Sequence, residues 1–394
     1  MSIGAPGMST GWVGWARGLY LTAIAVFVVT VLIGILNGLD LVEFPRDVLL
    51  THVHAGTLGW ITLGIVATAF WLFGTGDRWL AVSLAVLVPV YAAAFYTGNL
   101  PARAVTGTAL LVAIAWLLVW TWRTYLAGER TLPRLSVTLG LTTFAYGAVL
   151  GVVLQIQFAT GNAWLSGDAI GAHAGAMVFA YVVLATMGLI EWRLRGTTDL
   201  PRGGVVQVGA LFVGGLILSV GLLAGQGQAA GGLYLLAELV AVVLFVVRVI
   251  PAALRTAWLA PGPARQVGVA ALWVLVALLL FMYLVATFIA APDPEALPLG
   301  VLIASDHAVF VGVVTNLLLA LTAVFATRVP ARWPAADHLV FWGVNAGLAV
   351  FVVGLIAESS ELKRIGSPVM GVAILLGLAV VALRLWAVRD AEPG

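Results

Sequence analysis

THVHAGTLGWITLGIVATAFWLFG, residues 51–74, decides the fold. It opens with two histidines and then runs apolar and uncharged to a terminal glycine. About 20 apolar residues in a helix rising 1.5 Å per residue cross the ~30 Å hydrocarbon core of a bilayer. The rest of the chain repeats this character: 62% of its 394 residues are apolar and 9% charged, with a mean hydropathy of +1.10. So little charge cannot cover a water-soluble surface, which makes this a polytopic membrane protein.

Working outward from residues 51–74, twelve such stretches are bounded by Gly, Pro or charge: 14–37, 48–74, 79–98, 103–125, 135–159, 168–192, 204–225, 230–252, 266–291, 299–327, 338–358 and 367–388. The reading is an all-α membrane protein, a single transmembrane domain over 1–394 with short loops. The residues before Trp12 are too short and uncharged for a cleaved signal, so the first helix is expected to stay. Of the 19 Lys and Arg, only Arg46, Arg103, Lys363 and Arg364 fall on one side of the twelve-span topology. The others share a side with both termini, which the positive-inside rule makes cytoplasmic. A cell-membrane location follows, with lipid as the surroundings. The net charge of +2 makes no argument for nucleic acid.

The dipeptide His-Ala occurs three times, as His54-Ala55, His173-Ala174 and His307-Ala308, at the outer ends of helices 2, 6 and 10, in a chain with five histidines. Intramembrane imidazoles are costly and mark sites, and neutral imidazole is a favoured ligand of haem iron and copper. All three lie ~6–12 Å below the outer surface. The separations of 119 and 134 residues, with the similar texts GAHAGAMVFAYVVLATMGLIEW and SDHAVFVGVVTNLLLALTAVF, point to three pseudo-repeats of four helices. His52 is rotated ~200° from His54, so both cannot face one ligand; the repeat favours His54 as the inward ring. His338, beside Asp337 at the start of helix 11, reads as interfacial. With no cysteine, disulfides, thiolate ligation, iron–sulfur clusters and covalent haem attachment are excluded, and a metal must use histidine, carboxylate or water.

On these residues the chain resembles subunit I of the haem-copper oxidases, the superfamily of cytochrome c oxidases and nitric oxide reductases. The likeness runs from WARGLYLTAIAVFVVTVLIG, residues 15–34, to FWGVNAGLAVFVVGLIAES, residues 341–359. It implies haem ligands at His54 and His307, a position for His173 where a copper ligand stands in the family, and haem-propionate contacts from Lys363 and Arg364. Those two cations could instead balance Glu358 and Glu361. The chain departs from the family in having no histidine in helix 7, residues 204–225, one histidine in helix 10, and Ala-Gly-Ala-Met after His173. The metal candidates are therefore His54, His307 and His173, the expected inventory is about one haem b, and copper is doubtful. Three histidines without haem would be an alternative copper or zinc site.

Three functions are compatible with this pattern. The first is a haem-binding relative of the oxidase subunit, in electron transfer or in reduction or sensing of oxygen or nitric oxide, served by a redox partner subunit or quinol. The second is a membrane protein of the NnrS type, associated with the nitric oxide response. The third is a proton-coupled transporter without haem. Whether the chain is an enzyme stays open, and no catalytic residue stands out. Glu238 in LLAELVAVVLF could belong to a proton path or bond to Gln155, Gln157 or Asn316, and Asp306 could orient His307 or meet water.

Overall fold

Short connections force successive apolar helices to run antiparallel, and among the described residues of the computed structural model twelve helices are long and apolar enough to cross a membrane. It describes residues 11–165, 167–291, 297–326 and 333–388, and every regular element among them is helical. In chain order they are α1 Gly11–Gly38, α2 Arg46–Phe73, α3 Arg78–Tyr96, α4 Leu100–Ala127, α5 Leu132–Thr160, α6 Ala169–Arg195, α7 Arg202–Leu223, α8 Gly227–Arg248, α9 Pro263–Ala290, α10 Leu299–Phe325, α11 Pro334–Ile356 and α12 Ser360–Ala387. Each expected span has its helix, and the chain is a multi-pass membrane protein.

The helix ends carry local stop and start chemistry. Asp77 accepts from the Trp79 and Leu80 amides at the start of α3, Asn99 from Ala102 at the start of α4, and Asp168 from Gly171 at the start of α6. Gly74, Gly161 and Gly196 end α2, α5 and α6 in the left-handed conformation that glycine takes without a Cβ clash.

α2, α6 and α10 are the most buried spans and form the centre of the bundle. All three switch to a π-helical turn after their histidine: Ala55–Thr62, Val178–Val183 and Ala308–Thr315. The wider turn shifts the backbone ladder and leaves carbonyls that need partners. Thr62 donates to Thr57 O at 2.9 Å, Thr315 to Phe310 O at 2.8 Å, and Thr143 of α5 to Ala180 O at 2.5 Å. Eight residues beyond each histidine stands a polar side chain, Thr62, Tyr181 or Thr315. The three helices meet through these, with Tyr181 Oη donating to Thr62 Oγ1 at 3.2 Å and Trp60 Nε1 to Thr315 Oγ1 at 3.1 Å.

The end opposite the histidines gathers the arginines. Arg78 lies over Trp15 and Trp79, and Arg193 over Trp71 and Trp192. Buried Glu191 takes Arg248, Arg195 and Thr197. His338 sits here, its Nδ1 accepting from Arg265 at 3.0 Å, while Asp337 pairs with Arg384 at 2.9 Å. Arg328 and Arg332, two of the cations in the charge bias, and Arg389 lie outside the described residues.

Candidate haem-binding cavity

A cavity of about 810 Å³ opens among the helices at the histidine end, near the top of the ~300–1,000 Å³ span typical of small-molecule sites. His54, His173 and His307 all line it, and so does His52, the ring expected to face away. α2 passes through the middle of this space. His52 turns toward α1, where its Nδ1 bonds Thr30 O at 2.9 Å and Gly34 leaves room for the ring. His54 turns the other way, stacked at 3.8 Å on Phe95 of α3. The ~200° between the two positions thus sends the imidazoles into opposite lobes of one cavity.

The remaining two histidines divide between these lobes. His307 of α10 packs edge-on against Phe351 of α11, within electrostatic reach of His52, and α12 closes that lobe with Ser367, Met370 and Gly371. His173 of α6 bonds Gly147 O of α5 at 2.8 Å and lies within reach of His54. A Cβ on Gly151 would stand 2.7 Å from the His173 ring, so only glycine admits the imidazole there. α4 lines this second lobe with Arg103, Gly107 and Leu110. No residue of α7, α8 or α9 lines either lobe.

All four imidazoles are held in one tautomer. His54 Nδ1 contacts Leu50 O at 2.8 Å and His307 Nδ1 contacts Ile303 O at 2.8 Å, matching the carbonyl partners of His52 and His173. A backbone carbonyl only accepts, so each Nδ1 carries the proton and each neutral ring keeps its Nε2 lone pair for a ligand. Ligating histidines are fixed by such a bond from the second nitrogen. Among the described residues there is no group of three or more His, Asp or Glu side chains placed to hold a bare metal ion. Electrostatic reach links the imidazoles two by two, His52 with His307 and His54 with His173.

The other expected residues are dispersed. Lys363 and Arg364 do not line the cavity, and Arg364 pairs with Asp40 at 3.0 Å on the surface. The cations that do line it are Arg46 and Arg103, which the sequence reading counted only toward topology. Arg103 is 3% exposed; its Nη2 bonds Asp47 at 2.6 Å and Phe95 O at 2.9 Å, and its guanidinium lies over the Phe95 ring. Asp306 lines the cavity, and the His307 Nδ1 is oriented by Ile303 instead. Glu238 is fully buried with neither oxygen hydrogen-bonded; Gln157 instead caps the Trp164 and Leu165 amides, and Asn316 pairs with Asn345. Thr30 Oγ1 and Gln155 Oε1, both in cavity-lining residues, are buried without partners. Neither a protein-family model nor a curated protein matches the chain.

Proposed function

We propose that this chain is a membrane electron carrier related to haem-copper oxidase subunit I, holding a haem b by two axial imidazoles between α2 and α10. The observation that carries this reading is the pair His52 and His307, on facing helices, each with Nδ1 tied to a backbone carbonyl and Nε2 left for iron. His52 takes the helix-2 role that the repeat pattern favoured for His54, because it is the ring turned to the lobe that His307 lines. When bound, the haem supplies one-electron redox chemistry at a six-coordinate iron.

The protein's own contribution is orientation and dryness. Thr30 O and Ile303 O fix the two ring planes, while Phe27, Val31, Phe310 and Phe351 make an apolar wall. Iron held by both imidazoles would have no position left for a gas molecule, which favours electron transfer over reduction of oxygen or nitric oxide. His173 lines the lobe built from α2 to α6, to which α7 contributes no residue. That placement speaks against its part in a copper centre. The three His-Ala pairs, the three π-turns and the polar residue eight positions on support three pseudo-repeats of four helices, and the arginine bias supports cytoplasmic termini. A quinol or a redox partner subunit would supply the electron.

The test is an absorption spectrum of protein purified with ample haem, oxidised, reduced, and reduced under carbon monoxide. A low-spin spectrum unmoved by carbon monoxide, and lost from this lobe in His52→Ala and His307→Ala, is the expected result. A carbon monoxide shift would reveal an open iron position and favour the gas-reducing or gas-sensing reading. A colourless protein would sink the haem reading altogether.

A further inference from the structure

From the geometry we infer that the second lobe, between α2 and α6, is a second haem site, with His54 and His173 as its axial pair. This rests on the reading of the first lobe as a haem site, and it puts a haem ligand at His173, where the likeness to the oxidase subunit implies a copper ligand.

Three independent features converge on this lobe. The first is the ligand pair. His54 and His173 stand on facing helices with Nδ1 committed to Leu50 O and Gly147 O, the same arrangement that His52 and His307 have across α2. Phe95 covers the face of the His54 ring at 3.8 Å and leaves the in-plane Nε2 lone pair uncovered.

The second is the repeat itself. Advancing by four helices turns α10 into α2 and α2 into α6, so it turns the pair on α10 and α2 into a pair on α2 and α6. The enclosing helices follow the same step: α11, α12 and α1 around one lobe, α3, α4 and α5 around the other. α2 is the one histidine helix shared by both lobes, and it alone carries two cavity histidines, one for each side. A single haem leaves the His-x-His on α2 without an explanation.

The third is charge at the mouth. Porphyrins of the b type carry carboxylates, and a buried cation at the outer end of the lobe is what a carboxylate seeks. Arg103 lines this lobe and is held by Asp47 and the Ala94 and Phe95 carbonyls through Nε and Nη2, with no hydrogen bond to Nη1 among the described residues. Arg46 lines the same cavity. Asp47 pairs with the Arg103 guanidinium at 2.6 Å, and an Nη1 that neither Asp47 nor the two carbonyls engage can meet a second carboxylate.

The experiment is haem stoichiometry of the full chain, reconstituted with hemin in mild detergent, read as haem per polypeptide with a redox titration alongside. The wild type should bind two, His54→Ala and His173→Ala should each bind one, and His52→Ala and His307→Ala should remove the other. Because an alanine variant can fail to fold, His173→Met provides a second arm: it should keep both haems while one midpoint potential rises, since thioether–imidazole ligation raises it. A ratio of one that persists in His54→Ala and His173→Ala and disappears in His52→Ala overturns the second site and leaves the first. A ratio of one lost only in His54→Ala and His173→Ala overturns the first and keeps the second. No hemin uptake by the wild type overturns both, and His173→Met with two unshifted potentials overturns the assignment of His173.

Discussion

Gly151→Ala tests whether the imidazoles are held tightly enough to matter. A Cβ at Gly151 would lie 2.7 Å from His173 Cε1 and 3.1 Å from its Nδ1, where ordinary contact begins at 3.4 Å. The ring must therefore retreat by about 0.7 Å. Moving away from α5 by that much stretches the Nδ1 contact with Gly147 O from 2.8 Å to about 3.5 Å, beyond a useful hydrogen bond. The direct loss is ~0.5–1.5 kcal/mol, and losing the bond that orients a ligating histidine costs ~10–100-fold in affinity. Gly34→Ala is the internal control. Its Cβ would stand 3.0 Å from His52 Cε1, a shortfall of only about 0.4 Å, so the 2.9 Å contact with Thr30 O survives. That substitution should cost under about 1 kcal/mol, a factor of about 5. Hemin titration followed at the Soret band, with the other lobe disabled by His52→Ala or His173→Ala, separates the two. Equal affinities for Gly151→Ala and its parent, or a larger loss in Gly34→Ala, would refute the tight seating of His173.

Thr62→Val should destabilise the bundle more than Tyr181→Phe, because it orphans both the Tyr181 hydroxyl and the Thr57 carbonyl, whereas Tyr181→Phe leaves Thr62 its own acceptor. Intramembrane bonds of this kind measure ~0.6–1.7 kcal/mol, so a double-mutant cycle in mixed-micelle unfolding should show coupling of that order; additivity would exclude the contact. At the arginine end, Glu191→Ala removes a buried carboxylate from partly buried Arg248, which keeps Gln207, and should cost about 3 kcal/mol in the same assay. A loss below about 1 kcal/mol would mean the network behaves like an exposed ion pair.

The spans were legible because their signal is redundant: a bilayer demands ~20 apolar residues per crossing, and the arginine bias checks the count independently. That His54, His173 and His307 gather at one end of the bundle was legible for the same reason, since it follows from the alternation of the spans. Rotation was not. Choosing His54 over His52 assumed one ligand and one lobe, and a sequence cannot say that α2 is walled on both sides by open space. The π-turns also escaped, because the extra residue per turn is a hydrogen-bond choice, not a compositional one. A trace of them was present in the Thr, Tyr and Thr eight residues past the three histidines. Arg103 was hidden by its usefulness as a topology marker, and Lys363 and Arg364 stood out from rarity on their side while facing away from the cavity.

The third interval of the bundle, between α6 and α10, decides what kind of redox protein the chain can be on the proposed reading. By the four-helix step it should be a lobe like the others, enclosed by α7, α8 and α9. Its space is instead taken by packing: Phe179 of α6 stacks on Phe281 of α9 at 3.2 Å, Trp273 lies against Gly312 and bonds Asn345, and Asn316 pairs with the same amide. Neither α6 nor α10 offers it an imidazole, since His173 and His307 both look into the open lobes. In the oxidase pattern this is the side on which helix 7 would hold copper and a gas would be reduced. On the proposed reading, a chain that fills this interval with aromatic rings and turns its histidines to the two others would hold iron by two imidazoles in each, which favours electron transfer. Haems held in those two lobes would stand on either side of α2, the one histidine helix that both lobes share, and would pass an electron across it.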